Sequence, residues 1–241
     1  MKIEIVNTLD DDRPQYRLGD AVLLRDNSCG KLALKYVATN QRHFKGTVLY
    51  EYASKIDQNN PEPQWKVLKE VVLKKTKEMK LDLPREDELV VHLRMGDTKG
   101  FKQSAELCVD YLKDVINRFE IPISQITLVT AIHFGKLLLE NQMTKEQVLI
   151  AKLNNIKKIR KIFDLFSEKK LKARLYSHKD IDKDFCFLSN AKYLVIGNGH
   201  FSVCAAMVSN AECFIPPWAG KGIDVNIDEL LNSRKDFPQY D

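Results

Sequence analysis

Apolar and polar positions change rhythm along this chain, and the change organises it. From Leu89 to Ile215, short apolar runs alternate with longer stretches of roughly 3.6-residue spacing. The runs predict strands at Leu89–Leu93, Ile126–Ile132, Ala173–Tyr176, Tyr193–Ile196 and Ala211–Ile215. The spaced stretches predict helices at Ser104–Phe119, Thr144–Glu168, Asp182–Asn190 and Phe201–Ser209. Ser104 opens the first of these as a cap, with Leu107, Tyr111, Val115 and Ile116 turned inward. Thr144 with Gln147 three residues later forms a capping box. Regular alternation of strand and helix predicts a parallel sheet with helices on both faces.

The pattern upstream is less regular. Lys2–Thr8 reads as a short strand and Asp10–Asp20 as a loop. Gly30–Gln41 has helical spacing with Leu32, Tyr36 and Val37 on one side, and the β-rich alternation of Thr47–Tyr52 predicts a strand. Trp65–Lys80 reads as a basic amphipathic helix with Trp65, Leu68 and Val72 on one face, which Met79 would extend. Between them, Gln58-Asn59-Asn60-Pro61-Glu62-Pro63 is the strongest breaker cluster, a boundary or a long loop. The expected fold class is α/β, without internal repeats.

Composition bounds the partners. A chain of 241 residues, 44% apolar, can bury a core as one large domain or two small ones. Its formal net charge of +5 suits an anionic small ligand and would also suit weak contact with a membrane or nucleic acid. The Lys-rich helix has little aromatic interleaving, and a pI near 8.8 lies below that of typical nucleic-acid-binding domains, so no nucleic-acid partner is expected. No stretch reaches the ~18 apolar residues of a membrane span, and the start lacks the pattern of a secretory signal. Five cysteines (Cys29, Cys108, Cys186, Cys204 and Cys213) without a CxxC pair predict free thiols, no zinc site and a reducing, cytoplasmic location. Asp10, Asp11 and Asp12 point in different directions and form no DxD between strands, so neither a metal nor another cofactor is expected.

Two clusters follow predicted strands, where ligands of open parallel sheets bind. The first is Val90-Val91-His92-Leu93-Arg94-Met95-Gly96-Asp97. His92 and Arg94 are two apart and so share one face of an extended chain. An Arg fork is suited to a diphosphate because it donates several hydrogen bonds and keeps its charge. Gly96 permits a tight turn that Asp97 can brace, and Asp97 can equally serve as a plain strand-end partner of Arg94. The second is Tyr193-Leu194-Val195-Ile196-Gly197-Asn198-Gly199-His200-Phe201-Ser202, running into the small residues Val203 to Ala206. A strand that turns through glycine into a helix of small residues offers backbone N–H groups and a positive dipole end to phosphate. It is also a common tight turn.

Taken together, the two clusters resemble the fucosyltransferase superfamily, which shows an HxRRGD-like turn followed by a D…FLS.A…(S/T)FS..AA segment. Here the first reads His92-Leu93-Arg94-Met95-Gly96-Asp97. The second reads Asp184-Phe185-Cys186-Phe187-Leu188-Ser189-Asn190-Ala191, then Gly199-His200-Phe201-Ser202-Val203-Cys204-Ala205-Ala206. The resemblance covers about half the chain. It implies a GT-B-like enzyme of two Rossmann-type halves with parallel sheets, the N-terminal half (1–84) reduced and on the acceptor side, the C-terminal half (85–241) holding the nucleotide sugar. By position, Arg94 would grip the β-phosphate, His92 and Asp184 would lie near base or ribose, and Asn198 with Gly199 to Ser202 would cradle the diphosphate. Met95 replaces the second Arg of the turn and His200 replaces a Ser or Thr. The donor base and sugar therefore stay open between L-fucose and L-rhamnose, linked to GDP or UDP.

An inverting transfer needs a proton acceptor unless the leaving diphosphate serves. Arg17-Leu18-Gly19-Asp20 resembles the LGD loop of heptosyltransferases, which makes Asp20 a candidate base or a loop-capping carboxylate. Asp10 to Asp12, His133 and His178 are alternatives, and His43 reads as a surface residue. The expected partners are a nucleotide sugar and a glycan acceptor, for a chain compatible with being one module of something longer. A non-catalytic nucleotide-binding or regulatory domain is the alternative, followed by a nucleic-acid-binding protein.

Overall fold

A computed structural model describes residues 18–25, 28–95, 105–118, 123–130, 144–178, 180–219 and 226–233. Five parallel strands form one sheet: β1 (Glu88–His92), β2 (Gln125–Val129), β3 (Ala173–Tyr176), β4 (Tyr193–Val195) and β5 (Glu212–Phe214), in the order β3-β2-β1-β4-β5. The interior β1 is buried along its whole length. Alternation splits its side chains between two cores. Leu89 and Val91 join α6 (Ala105–Arg118) and α7 (Lys145–Glu168) on one face. Val90 joins α8 (Ile181–Ser189) and α9 (His200–Val208) on the other. The α/β class with helices on both faces is what the alternation predicts.

The described part of the N-terminal segment is helical: α1 (Leu18–Leu23), α2 (Ser28–Thr39), α3 (Gln41–Phe44), α4 (Val48–Lys55) and α5 (Trp65–Met79). These helices share the α8–α9 core, where Val48, Tyr52, Leu68 and Val72 meet Phe185, Cys186 and Ala205. A short α10 (Ile227–Ser233) adds Ile227 and Leu231 to it. Among the described residues there is one sheet, and the expected Lys2–Thr8 strand lies outside them.

Three expectations need correction. Thr47–Tyr52 is the start of α4, not a strand. Thr47 Oγ1 accepts from Tyr50 N at 3.1 Å, and Asp182 Oδ2 on α8 accepts from Val48 N at 2.9 Å. Two caps at one helix start satisfy donors that a β-rich composition cannot. Leu18 to Asp20 likewise belong to a helix rather than a loop. The inward faces of α2 and α6 differ in part from those expected: Val37 is buried with Ala33 while Leu32 and Tyr36 are exposed, and Val115 is buried with Tyr111 and Ile116 packed beside it while Leu107 is 47% exposed and Cys108, Val109 and Leu112 take its place. The capping box of Thr144 and Gln147 and the buried stripe of Trp65, Leu68 and Val72 are as expected, while Met79 is only partly buried.

Candidate functional site

The order of strands marks one place on the sheet. β1 and β4 are neighbours, yet β1 leads to α6 on one face and β4 to α9 on the other. Connections that diverge in this way leave a crevice beyond the carboxyl ends of the two strands. Both clusters singled out in the sequence lie there.

Their contact is intimate. A methyl built on Gly197 would stand 2.5 Å from His92 Nδ1 and from the His92 carbonyl oxygen. A methyl on Gly199 would collide with Arg94 Nη1 and lie 3.4 Å from Arg94 Cδ and Cζ. His92 and Arg94 thus project on the same side, toward the turn from β4 into α9. Gly199 has φ 96° and ψ 162°, a region essentially reserved for glycine, and caps α9. Its missing side chain lets the guanidinium lie against the turn.

Not every predicted side chain faces this crevice. Ser202 is fully buried, its Oγ accepting from Gly197 N at 3.0 Å and donating to Gly197 O at 3.3 Å. It holds the turn shut, and its hydroxyl is engaged there. Phe201 turns its ring to His92 and Phe185, with centroids 5.8 and 5.1 Å away. Asp184 is buried on α8 and pairs with His178 beyond β3, Nδ1 to Oδ1 3.1 Å. Burial pushes its carboxyl up to about 6, against the opposing pull of His178. Phe185 links Asp184's helix to Phe201, but the Asp184 carboxylate itself belongs to a separate pair. Gly96, Asp97, His133 and Asp10 to Asp12 lie outside the described residues. His43 lies beside Arg42, whose Nε donates to His43 Nε2 at 3.1 Å.

The structure brings in Asp20 from 180 residues away. Its Oδ1 lies 3.0 Å from His200 Nδ1. Gly19 makes this approach possible: a methyl there would stand 2.7 Å from the His200 backbone carbon and 2.8 Å from Phe201 N. Helix α1 therefore lies across the first turn of α9. A proton on Nδ1, facing that carboxylate, would leave the other ring nitrogen of His200 as an acceptor. That atom, Nε2, is buried and has no hydrogen-bond partner among the described residues. Asn198 Oδ1 and Thr130 Oγ1 are in the same condition, Thr130 at the carboxyl end of β2. Buried polar atoms are nearly always satisfied, which sets these three apart among the described residues.

Three of the thiols lie in apolar surroundings. Burial pushes Cys108 and Cys186 up to about 12 and Cys204 well above its ordinary value, so they pack as small apolar groups. Among the described residues no helix is long and apolar enough to cross a membrane. No protein-family model, curated protein or solved structure matches this chain.

Proposed function

We propose that this chain is a nucleotide-sugar-dependent glycosyltransferase, with the donor diphosphate at the β1–β4 crevice. One observation carries the reading: the Arg94 guanidinium lies directly against Gly199 at the start of α9, at the point where the connections diverge. A fixed cation and a helix start there suit a pyrophosphate. In this reading residues 85–241 hold the donor. The segment 1–84 forms the acceptor side of a GT-B-like pair, with α1 as the part that reaches the donor turn. The donor is an L-fucose or L-rhamnose conjugate of GDP or UDP, and the acceptor is a glycan hydroxyl. The free thiols of Cys108, Cys186, Cys204 and Cys213 are in keeping with a cytoplasmic location.

The chemistry follows from the placement of each group. The acceptor oxygen forms a bond to the anomeric carbon on the face opposite the diphosphate. The anomeric C–O bond breaks, and its electron pair leaves with the diphosphate. Arg94 stabilises the charge that builds on the leaving oxygens. His200 Nε2 takes the acceptor's proton, and Asp20 acts through His200 by holding its tautomer and balancing the imidazolium. Asp20 is thus a positioning carboxylate rather than the base itself.

Arg94→Ala tests this reading. A phosphate contact that strengthens in the transition state is worth about 2–4 kcal/mol, so transfer should fall by some two to three orders of magnitude with the fold intact. Donor screening by thermal shift, with GDP, UDP and their deoxyhexose conjugates, should stabilise the unmodified chain by about 2.7 kcal/mol at a hundredfold the dissociation constant. Undiminished transfer in the variant would refute the assignment. A second reading, a non-catalytic nucleotide-binding domain, is favoured by the closeness of α1 to the first turn of α9. Nucleotide binding without transfer or donor hydrolysis would select it.

A further inference from the structure

Lys152 is a buried cation that the proposed chemistry has not used. It sits on α7 with 2% of its surface exposed, and among the described residues no carboxylate or other acceptor pairs with its ammonium. Lysine is almost never buried unless it is paired or serves a ligand. Burial accordingly pulls this ammonium below its usual range.

Its neighbour fixes its position. Asn155, three residues on and therefore on the same side of the helix, is also buried, and its Nδ2 donates to the Met95 carbonyl at 2.8 Å. Met95 directly follows Arg94. Because α7 leaves β2 and returns to the parallel β3, it starts at the carboxyl edge of the sheet and runs away from it. Lys152 is therefore about 4.5 Å nearer that edge than Asn155. This puts its backbone on the carboxyl-edge side of the residue that is tied to Met95. Arg94 and the α9 start approach that edge from one face of the sheet, and Lys152 approaches from the other.

We propose that Lys152 is a second cation for the diphosphate, reaching the ligand from α7 across the turn that carries Arg94. The inference rests on reading the β1–β4 crevice as a diphosphate site. It explains why a lysine is held inside without a carboxylate: an anionic ligand is its partner. A point charge with three donors complements the planar fork of Arg94 on a group that carries several phosphate oxygens.

Calorimetric titration of the full chain with inorganic pyrophosphate, GDP and UDP tests this, on Lys152→Met, Lys152→Arg and Arg94→Ala. Lys152→Met should bind these probes roughly tenfold or more weakly. Its ligand-free melting temperature should rise, because an unpaired buried charge has been replaced by a thioether of similar length. Lys152→Arg should recover part of the affinity. A lysine with a purely structural role would not combine a gain in stability with a loss of binding. Unchanged affinity in Lys152→Met, alongside loss in Arg94→Ala, overturns this inference alone. Failure of the unmodified chain to bind any of the three probes overturns the diphosphate reading and this inference with it. Should Lys152→Met not fold, Lys152→Gln gives the same readout.

Discussion

Gly199→Ala places the two clusters in direct conflict, and its effect can be worked out from the turn. The residue sits at φ 96° and ψ 162°, where a side chain costs about 1–3 kcal/mol. The added methyl also meets Arg94 Nη1. Overpacking of a fixed neighbour costs about 1–3 kcal/mol, and the flexible guanidinium can lower that by swinging away. The variant should therefore lose about 2–4 kcal/mol of stability, together with the cation's position against α9. Gly46 supplies the control. Its φ is 84°, yet a methyl there would touch nothing within 4 Å, so Gly46→Ala carries the backbone cost alone, about 1–2 kcal/mol. Urea unfolding of both variants gives the difference, and GDP titration shows the consequence for the site. Combining Gly199→Ala with Arg94→Ala should relieve the collision, leaving the pair about 1 kcal/mol less damaging than the two changes taken separately. If Gly199→Ala costs no more than Gly46→Ala, and its effect adds fully to that of Arg94→Ala, the guanidinium does not lie on this turn and the convergence of the two clusters is refuted.

Other perturbations reach different parts of the argument. Asp20→Asn should slow transfer by about 10²-fold while leaving donor affinity near that of the unmodified chain, as expected for loss of a tautomer-holding group; a fall in donor affinity alone would contradict its role. Asp184 holds its proton more tightly folded than unfolded, so its contribution to stability is full below about pH 4 and is lost as pH rises through about 6, a change of roughly 3 kcal/mol. Asp184→Asn should remove that decline, so urea melts between pH 4 and 7 should show the variant gaining on the unmodified chain; parallel curves would argue against it. Glu88 is fully buried at the start of β1, where Arg174 Nη2 and Arg85 N each donate to it at 3.0 Å. Arg174→Met should cost about 1–3 kcal/mol, because Glu88 keeps Thr127 and Arg85 N as donors, and adding Glu88→Gln should restore much of that, as read by denaturant midpoints. Asp182→Ala removes the cap on Val48 N and should cost about 1–2 kcal/mol, with the loss of helicity measured by far-UV circular dichroism.

Most of the parallel sheet was legible because the apolar runs are short, β-branched and separated by clear helical spacing. That reading also put Arg94 and Gly199 beyond strand ends, and the strand order then made them neighbours. What remained hidden depends on contacts distant in sequence. Thr47–Tyr52 reads as a strand until Asp182, 134 residues away, caps it as a helix. Asp20 was a candidate base in isolation, and only the fold supplies His200 as its hydrogen-bond partner. Ser202 reads as a phosphate donor because nothing local shows that Gly197 takes up its hydroxyl. Lys152 carries no signal at all: a lysine in a long charged helix reads as solvated until Asn155 fixes that side of α7 against Met95.

The bond from Asp182 to Val48 also bears on the order in which the chain can fold. On a ribosome α4 and α5 emerge well before α8, so the apolar surface of Val48, Leu49, Tyr52 and Leu68 waits for partners still to be synthesised. Domains generally fold as units during synthesis, and exposed hydrophobic surface is prone to aggregate. A nascent chain halted after α5 should therefore engage holdase chaperones, and release should coincide with the arrival of α9 rather than with the completion of the first five helices.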